Sequence, residues 1–160
     1  MDLTLVPVAL PEGANVIIGQ SHFIKTVEDL YEVMVTSVPQ ATFGLAFNEA
    51  SGARLVRADG NDQGLTEAAI GAAQAIGAGH VFVLFLKDSY PINVLDRIKA
   101  CPEVCRVFCA TANPLEVVVA QSGQGRGIMG VIDGAPPLGV EADADREWRR
   151  GLLRTIGYKR

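Results

Sequence analysis

Residues 16–30 read VIIGQSHFIKTVEDL, and the order of apolar and polar residues here predicts a strand followed by a helix. The opening run is apolar, as in a buried strand. From Val27 onward apolar side chains recur every three or four residues, as on one face of a helix. His22 and Lys25 lie between the two elements. A helix N-terminus offers free N–H groups and the positive end of the helix dipole, which favour a phosphate. The stretch therefore indicates a candidate phosphoryl-handling site.

A purely structural interpretation of the same stretch stays open. Thr26 followed three residues later by Asp29 matches a capping box, which stabilises a helix by about 1 kcal/mol in any protein. A histidine at a strand-to-helix turn also often serves only as a hydrogen-bonded surface or core residue. The local pattern alone does not decide between phosphate chemistry and simple capping.

The composition narrows the class of protein. The chain has 160 residues, of which 49% are hydrophobic and 20% charged, as in one globular domain. A net charge of −4 argues against non-specific nucleic-acid binding. No apolar run approaches the roughly 20 residues of a membrane span, and no signal-peptide pattern opens the sequence. We therefore expect a cytoplasmic protein that binds neither nucleic acid nor membrane.

Candidate strands and helices alternate along the chain. The uninterrupted apolar run Val81–Leu86 predicts a strand buried on both faces. Thr42–Asn48 and Arg54–Arg57 predict a hairpin, and a small-residue helix is expected from about Gly64 to Ala78. The pattern predicts one α/β domain over residues 1–160, with a mixed β-sheet and helices packed on it. Because ligands of such sheets bind beyond the C-terminal ends of strands, we expect three turns to meet: 19–25, 87–93 and 111–114.

The segment Ser122–Gly130 contains a G-x-G-x-x-G match, but a short strand and a turn follow it instead of a helix. A dinucleotide site needs that helix, so the segment is interpreted as a glycine-rich hairpin loop. A final helix is predicted over Asp143–Ile156, with acids first and arginines later. Its expected buried face consists of Trp148, Leu152 and Ile156.

Seven segments of the chain resemble the adenosine-specific kinase family, a conserved domain of archaea and some bacteria. They read VIIGQSHFIKTVEDL (16–30), FNEASGARLVRADGND (47–62), GHVFVL (79–84), PINVL (91–95), FCATANP (108–114), GRGIMGVIDG (125–134) and PLGVE (137–141). Several of these segments are long, which argues against chance similarity. One departure is that Gly134–Pro137 lacks a serine associated with that loop.

The resemblance implies a compact α/β domain, a homotrimer, and binding of adenosine, AMP and ATP. It also implies an enzyme that phosphorylates adenosine with ATP through a phosphohistidine, and His22 matches the family's phosphorylated histidine. Lys25 is the expected partner of the phosphoryl oxygens. The positions matching nucleoside and nucleotide contacts are Gln20, Asn48, Glu49, Ser51, Tyr90, Pro91, Asn93, Thr111, Ala112, Asn113 and Pro114.

Mg²⁺ is expected with ATP, whereas no tightly bound metal or organic cofactor is expected. Glu49, Asp59 and Asp62 are possible Mg²⁺ ligands, or else solvated turn residues. Three other functions remain open at this stage. His22 could bind phosphate unmodified in an adenine-nucleotide sensor, or it could pass its phosphoryl group to water in a phosphohydrolase. The chain could also be an oligomeric structural protein.

Overall fold

Eight strands and four helices form the domain, and the computed structural model describes residues 1–160. None of the helices has the length and apolar character needed to span a membrane. The strands are β1 (Asp2–Val8), β2 (Asn15–Ser21), β3 (Thr42–Asn48), β4 (Val56–Gly60), β5 (Val81–Lys87), β6 (Val104–Thr111), β7 (Leu115–Gln121) and β8 (Arg126–Asp133). The helices are α1 (Thr26–Ser37), α2 (Gln63–Ile76), α3 (Leu95–Ala100) and α4 (Asp143–Thr155).

The larger sheet has the strand order β4-β3-β5-β2-β6, with the apolar strand β5 at its centre. Side chains of β5 alternate between two cores. Val83 and Phe85 face α2 and the smaller sheet, and Phe82 and Leu84 face α1 and α3. All four are fully buried, so the predicted strand with two buried faces is confirmed. The smaller sheet has the order β1-β7-β8.

The predicted α/β domain is confirmed, but its strands pair differently from the single mixed sheet that we expected. Strands β2 and β3 run parallel and α1 connects them, which is the alternation visible in the sequence. Strand β5 lies between them and runs antiparallel to both. Every other pairing is also antiparallel. The result is two antiparallel sheets. After β4, helix α2 returns the chain to the end of the sheet where β4 began, so β5 runs in the same direction as β4 and antiparallel to β3.

Strand direction determines which loops share an end of the larger sheet. Strands β2 and β3 finish where β4, β5 and β6 begin, and we call this the His22 end. Strands β5 and β6 finish at the other end, which we call the Asn113 end. Seven residues of extended strand separate the two ends by about 20 Å.

Three local predictions have different outcomes. The hairpin of β3 and β4 is confirmed, although its second strand is Val56–Gly60 and not 54–57, and the glycine-rich turn between β7 and β8 is confirmed. Helix α4 also lies where it was predicted, but its expected buried face is wrong. Trp148 is 68% exposed and Ile156 is 52% exposed, and no residue of α4 is buried. The 3–4 spacing determined an apolar face, and nothing within the chain covers it.

Candidate functional site

The turn that carries His22 is anchored to the residue before β6. The His22 N–H donates to the Glu103 carbonyl at 3.0 Å, and the Ser21 hydroxyl donates to the same oxygen at 2.9 Å. Ser21 Oγ also lies 2.5 Å from Thr26 Oγ1. Ser21 and Thr26 are fully buried, whereas His22 is exposed. The backbone of the turn is therefore held rigidly while the imidazole stays accessible.

Helix α1 does not begin with the predicted capping box. The Thr26 hydroxyl donates to the Phe23 carbonyl at 2.6 Å instead of accepting from the helix. The N–H groups of Thr26 and Val27 donate to the carbonyls of Phe23 and Ile24 at 3.0 and 3.2 Å. A tight turn before the helix uses these donors, in the i→i+3 pattern common at helix ends. The helix end consequently has fewer free N–H groups for a phosphate than predicted.

Lys25 forms an ion pair on the surface of α1. Its Nζ lies 3.0 Å from Asp29 Oδ2, one helical turn along. The hydrogen bond and charge of Asp29 raise the pKa of the lysine, so the side chain is cationic at neutral pH. The Lys25 side chain remains 55% exposed. Exposed pairs of this kind are weak, which leaves the ammonium group available to a stronger anion.

Asp29 and Glu103 form a carboxyl pair behind the His22 turn. Glu103 is 3% exposed, and its Oε1 has no hydrogen-bond partner. Burial and the hydrogen bond to Asp29 raise the pKa of Glu103 above its usual value. Burial opposes ionisation of Asp29, but hydrogen bonds with Glu103 and Lys25 outweigh it and lower the Asp29 pKa. Glu103 is therefore the carboxyl of the pair that loses its proton at the higher pH, and Asp29 carries the charge that faces Lys25.

We expect Glu103→Gln to raise the unfolding free energy relative to wild type, increasingly so above about pH 4.5. The ordinary pKa of this carboxyl is 4.5, and the folded value is higher. In wild type the unfolded chain loses this proton first, so stability declines as pH rises through the folded pKa. Glutamine keeps a donor for Asp29 and has no proton to lose. Urea unfolding from pH 4 to pH 8 measures the difference. A difference in unfolding free energy that stays the same at every pH would contradict the raised pKa of Glu103.

The predicted site residues do not converge. Gln20, Asn48, Glu49 and Ser51 lie at the His22 end, where Gln20 pairs with Val81 and Arg106. The other predicted contacts lie at the Asn113 end. The predicted meeting of the three turns is therefore wrong, because antiparallel pairing places the C-terminal end of β2 opposite those of β5 and β6. The residues at the Asn113 end are Tyr90, Pro91, Asn93, Thr111, Ala112, Asn113 and Pro114.

Most polar side chains at the Asn113 end are engaged in hydrogen bonds, either within their own turn or with the end of β8. Asn93 Oδ1 accepts from the Tyr90 N–H at 2.9 Å, at the start of a 3₁₀ turn that Pro91 opens. The Thr111 hydroxyl and the Asn113 amide both donate to Asp133 Oδ1, at 2.7 and 3.1 Å. The Asn93 bond is ordinary turn chemistry, whereas the two bonds to Asp133 join the turn after β6 to the end of β8. Tyr90 is 62% exposed, and its ring remains accessible.

A cavity of about 890 Å³ opens at the His22 end. Three segments form most of its walls: residues 48–50 with 53–56, the C-terminal end of α2 with residues 77–79, and the residues around the glycine-rich turn between β7 and β8. The volume lies within the range of small-molecule sites. Asn48 and Glu49 are predicted site residues in its wall, but the sequence analysis missed the contribution of the glycine-rich turn. The feature of the sequence that could have indicated this contribution is the run of glycines, which leaves the backbone exposed.

The carboxylate of Glu49 is held by two donors at the edge of this cavity. The Leu55 N–H donates to Glu49 Oε2 and Arg57 Nη2 donates to Oε1, both at 2.9 Å. These bonds lower the pKa of Glu49, so the group is ionised at neutral pH. Ser51 lies outside the wall, in the exposed turn before Arg54.

His80 connects the His22 turn to the cavity through its main chain. The Ser21 N–H donates to the His80 carbonyl and the His80 N–H donates to the Asn48 carbonyl, both at 2.8 Å. His80 has a φ of +60°, which is uncommon outside glycine. Its ring stacks on Phe47 with centroids 5.8 Å apart. A single residue therefore joins the end of β2 to the end of β3 through main-chain hydrogen bonds.

The three acids considered for Mg²⁺ do not meet. Glu49 is at the His22 end, whereas Asp59 and Asp62 lie at the Asn113 end of β4. Asp62 Oδ1 caps α2 by accepting from the Leu65 N–H at 2.8 Å. Nowhere in the domain do three or more His, Cys, Asp or Glu side chains cluster as metal ligands do. These residues do not fit a shared metal site.

The architecture is an α/β domain of two antiparallel sheets, and the family model described as adenosine specific kinase matches residues 6–159. The chain belongs to this family. It is similar to the PH1918 protein from Pyrococcus horikoshii OT3. The two chains are 44% identical in sequence, and the present structure superimposes on the crystal structure of that protein with a TM-score of 0.94. That match covers 99% of this chain and 98% of the other. A comparison with curated proteins found no match.

Proposed function

We propose that the protein is an adenosine kinase that transfers the γ-phosphoryl group of ATP to adenosine through phosphorylated His22. The observation that carries the proposal is the position of His22. Its imidazole is exposed at the same end of the larger sheet as the cavity, on a backbone fixed by Ser21 and Glu103. Membership of the adenosine-specific kinase family supports the choice of adenosine as acceptor.

Two displacements at phosphorus make up the reaction. In the first, a neutral His22 nitrogen attacks the γ-phosphorus of ATP, and the bond to the bridging oxygen breaks with its electron pair leaving on ADP. The other ring nitrogen then releases its proton to solvent. In the second, the adenosine 5′-hydroxyl oxygen attacks the same phosphorus. The N–P bond breaks and its electron pair returns to the imidazole, whose other nitrogen takes a proton back from solvent, while the hydroxyl proton is lost to solvent. AMP leaves.

Lys25 is the cation in this scheme. It lies three positions after His22 in the sequence, and its exposed ammonium is held only by the surface pair with Asp29. Negative charge spreads over the phosphoryl oxygens in the transition state, where a nearby cation has the largest effect. Mg²⁺ enters as the complex with ATP.

In this proposal the functional assembly is a homotrimer located in the cytoplasm. The uncovered apolar face of α4, with Trp148 68% exposed, supports association with other subunits. Leu138 and Val140 just before α4 are also exposed apolar residues.

Incubation with ATP labelled at the γ-phosphate tests the reaction. We expect an acid-labile label on the protein, which adenosine removes as stoichiometric labelled AMP. If the protein binds adenosine or nucleotide but acquires no label, the result would indicate a non-catalytic sensor. Loss of the label as inorganic phosphate at the same rate without adenosine would indicate a phosphohydrolase. Either result would contradict the kinase.

A further inference from the structure

Glu103 reaches the candidate site through both its main chain and its side chain. Its carbonyl oxygen accepts from the His22 N–H at 3.0 Å and from the Ser21 hydroxyl at 2.9 Å. Its buried carboxyl group is hydrogen-bonded to Asp29, whose Oδ2 lies 3.0 Å from Lys25 Nζ. One residue therefore holds the turn of the proposed nucleophile directly, and it reaches the proposed cation through a single intervening carboxylate.

Ionisation of Glu103 changes the charge that holds Lys25. While Glu103 is protonated, the carboxyl pair carries one negative charge, which is on Asp29. Once Glu103 loses its proton, the pair carries two. Glu103 Oε1 is buried and has no partner in the fold, so the added charge acts on Lys25 across Asp29. The hydrogen bond and charge of Asp29 have the largest effect on the raised pKa of Lys25, and the charge of Glu103 adds to it.

The other ionisable groups around the pair do not produce this change between acidic and neutral pH. The pKa of Asp29 is lowered, so Asp29 is ionised throughout this range. Burial and the charges of the two carboxyl groups raise the pKa of the Cys101 thiol at the end of α3, so the thiol stays neutral. Glu32 and Arg97 line the adjoining surface with Asp29, but both are exposed, and solvent and salt screen exposed charges.

We propose that Glu103 is a positioning residue for the phosphoryl transfer, which releases Lys25 to the phosphoryl oxygens while it is protonated and holds Lys25 on Asp29 once it is ionised. The ammonium must exchange Asp29 for the phosphoryl oxygens before it can stabilise the charge of the transition state. A second carboxylate behind Asp29 makes that exchange less favourable. Because the proposed function assigns these roles to His22 and Lys25, the inference rests on it.

Rates of phosphoryl transfer from ATP to His22, measured from pH 5 to pH 8, test the proposal. Glu103→Gln keeps a donor for Asp29 and cannot ionise. We expect its labelling rate to equal that of wild type at pH 5 and to exceed it by about three- to tenfold at pH 8. Both proteins retain His22, so pH effects on the nucleophile cancel in the ratio of the two rates.

Glu12→Gln is the matched control. Glu12 is exposed in the turn between β1 and β2, at the Asn113 end, and this variant should follow wild type at every pH. A rate ratio for Glu103→Gln that stays near one, or that changes by the same factor at every pH, would overturn the proposal. The second of these results would indicate that Glu103 only supports the fold.

NMR of lysine labelled at Cε tests the coupling without turnover, with the Lys25 signal assigned from Lys25→Arg. In wild type we expect this signal to shift over the pH range in which Glu103 ionises. In Glu103→Gln that shift should be absent, and the pKa of Lys25 should be lower than in wild type. A wild-type Lys25 signal that does not respond in that range would overturn the proposal, even if Glu103→Gln does not fold.

Label transfer distinguishes the failure of this inference from the failure of the proposed function. Wild-type protein that acquires label, with a rate ratio and a Lys25 signal that are both independent of Glu103, would remove the inference and leave the kinase intact. Wild-type protein that acquires no label would remove the proposed function itself, whatever the Lys25 signal shows.

Discussion

AMP formation is expected to fall by about 10³-fold or more in His22→Asn, because removal of a covalent nucleophile eliminates the intermediate. Asparagine retains the N–H that donates to the Glu103 carbonyl, and it tolerates turn conformations well. The exposed imidazole itself makes no hydrogen bond that the fold requires. The acid-labile label should be absent, while calorimetry should still detect adenosine. Label incorporation and AMP production, measured on the same preparation, check both parts.

The second histidine provides the matched comparison. His80→Asn preserves the left-handed backbone better than most residues, because asparagine also populates positive φ. If His22 is the nucleophile, the label forms on His80→Asn and not on His22→Asn. The opposite pattern would assign the phosphoryl group to His80 and contradict the mechanism proposed for His22.

A large loss of stability is expected from Gly44→Ala. Gly44 lies on β3 where α2 crosses the sheet, and a Cβ atom there would overlap the Thr66 amide nitrogen and the Leu65 carbonyl carbon. Both are backbone atoms, so no side chain can rotate away. We expect an unfolding free energy lower by about 3 kcal/mol or more, which corresponds to a melting temperature roughly 6–12 °C lower for a domain of this size. Urea unfolding and calorimetry measure these changes.

Gly71→Ala on α2 controls for the loss of a glycine. Gly71 is exposed, and a Cβ atom there would meet nothing within 4 Å. Alanine is a better helix former than glycine, so we expect a gain of about 0.5–1 kcal/mol. Opposite signs at the two positions would show that Gly44 is required for close contact between α2 and β3. Equal small changes would contradict that contact.

Local patterns in the sequence determined most of the elements. The apolar run of β5, the 3–4 spacing of α1 and the turn residues between β3 and β4 each depend on neighbours a few positions away. The strand-to-helix turn at His22 was predicted for the same reason, whereas the exposure of the imidazole is seen only in the structure. The Thr26 capping box failed because a tight turn over residues 23–25 uses the donors that such a box would bind.

Tertiary structure alone decided which loops meet. Strand β5 inserts antiparallel between β2 and β3, and this pairing moves Tyr90 away from His22 by the length of the sheet. The antiparallel pairing of β6 with β2 does the same for Asn113. The cavity brings together Asn48, the end of α2 and the turn at Arg126, which are far apart in sequence. Strand neighbours depend on how whole faces pack, and no local spacing encodes them. The exposed apolar face of α4 follows the same rule, since periodicity determines a face and only packing determines whether it is covered.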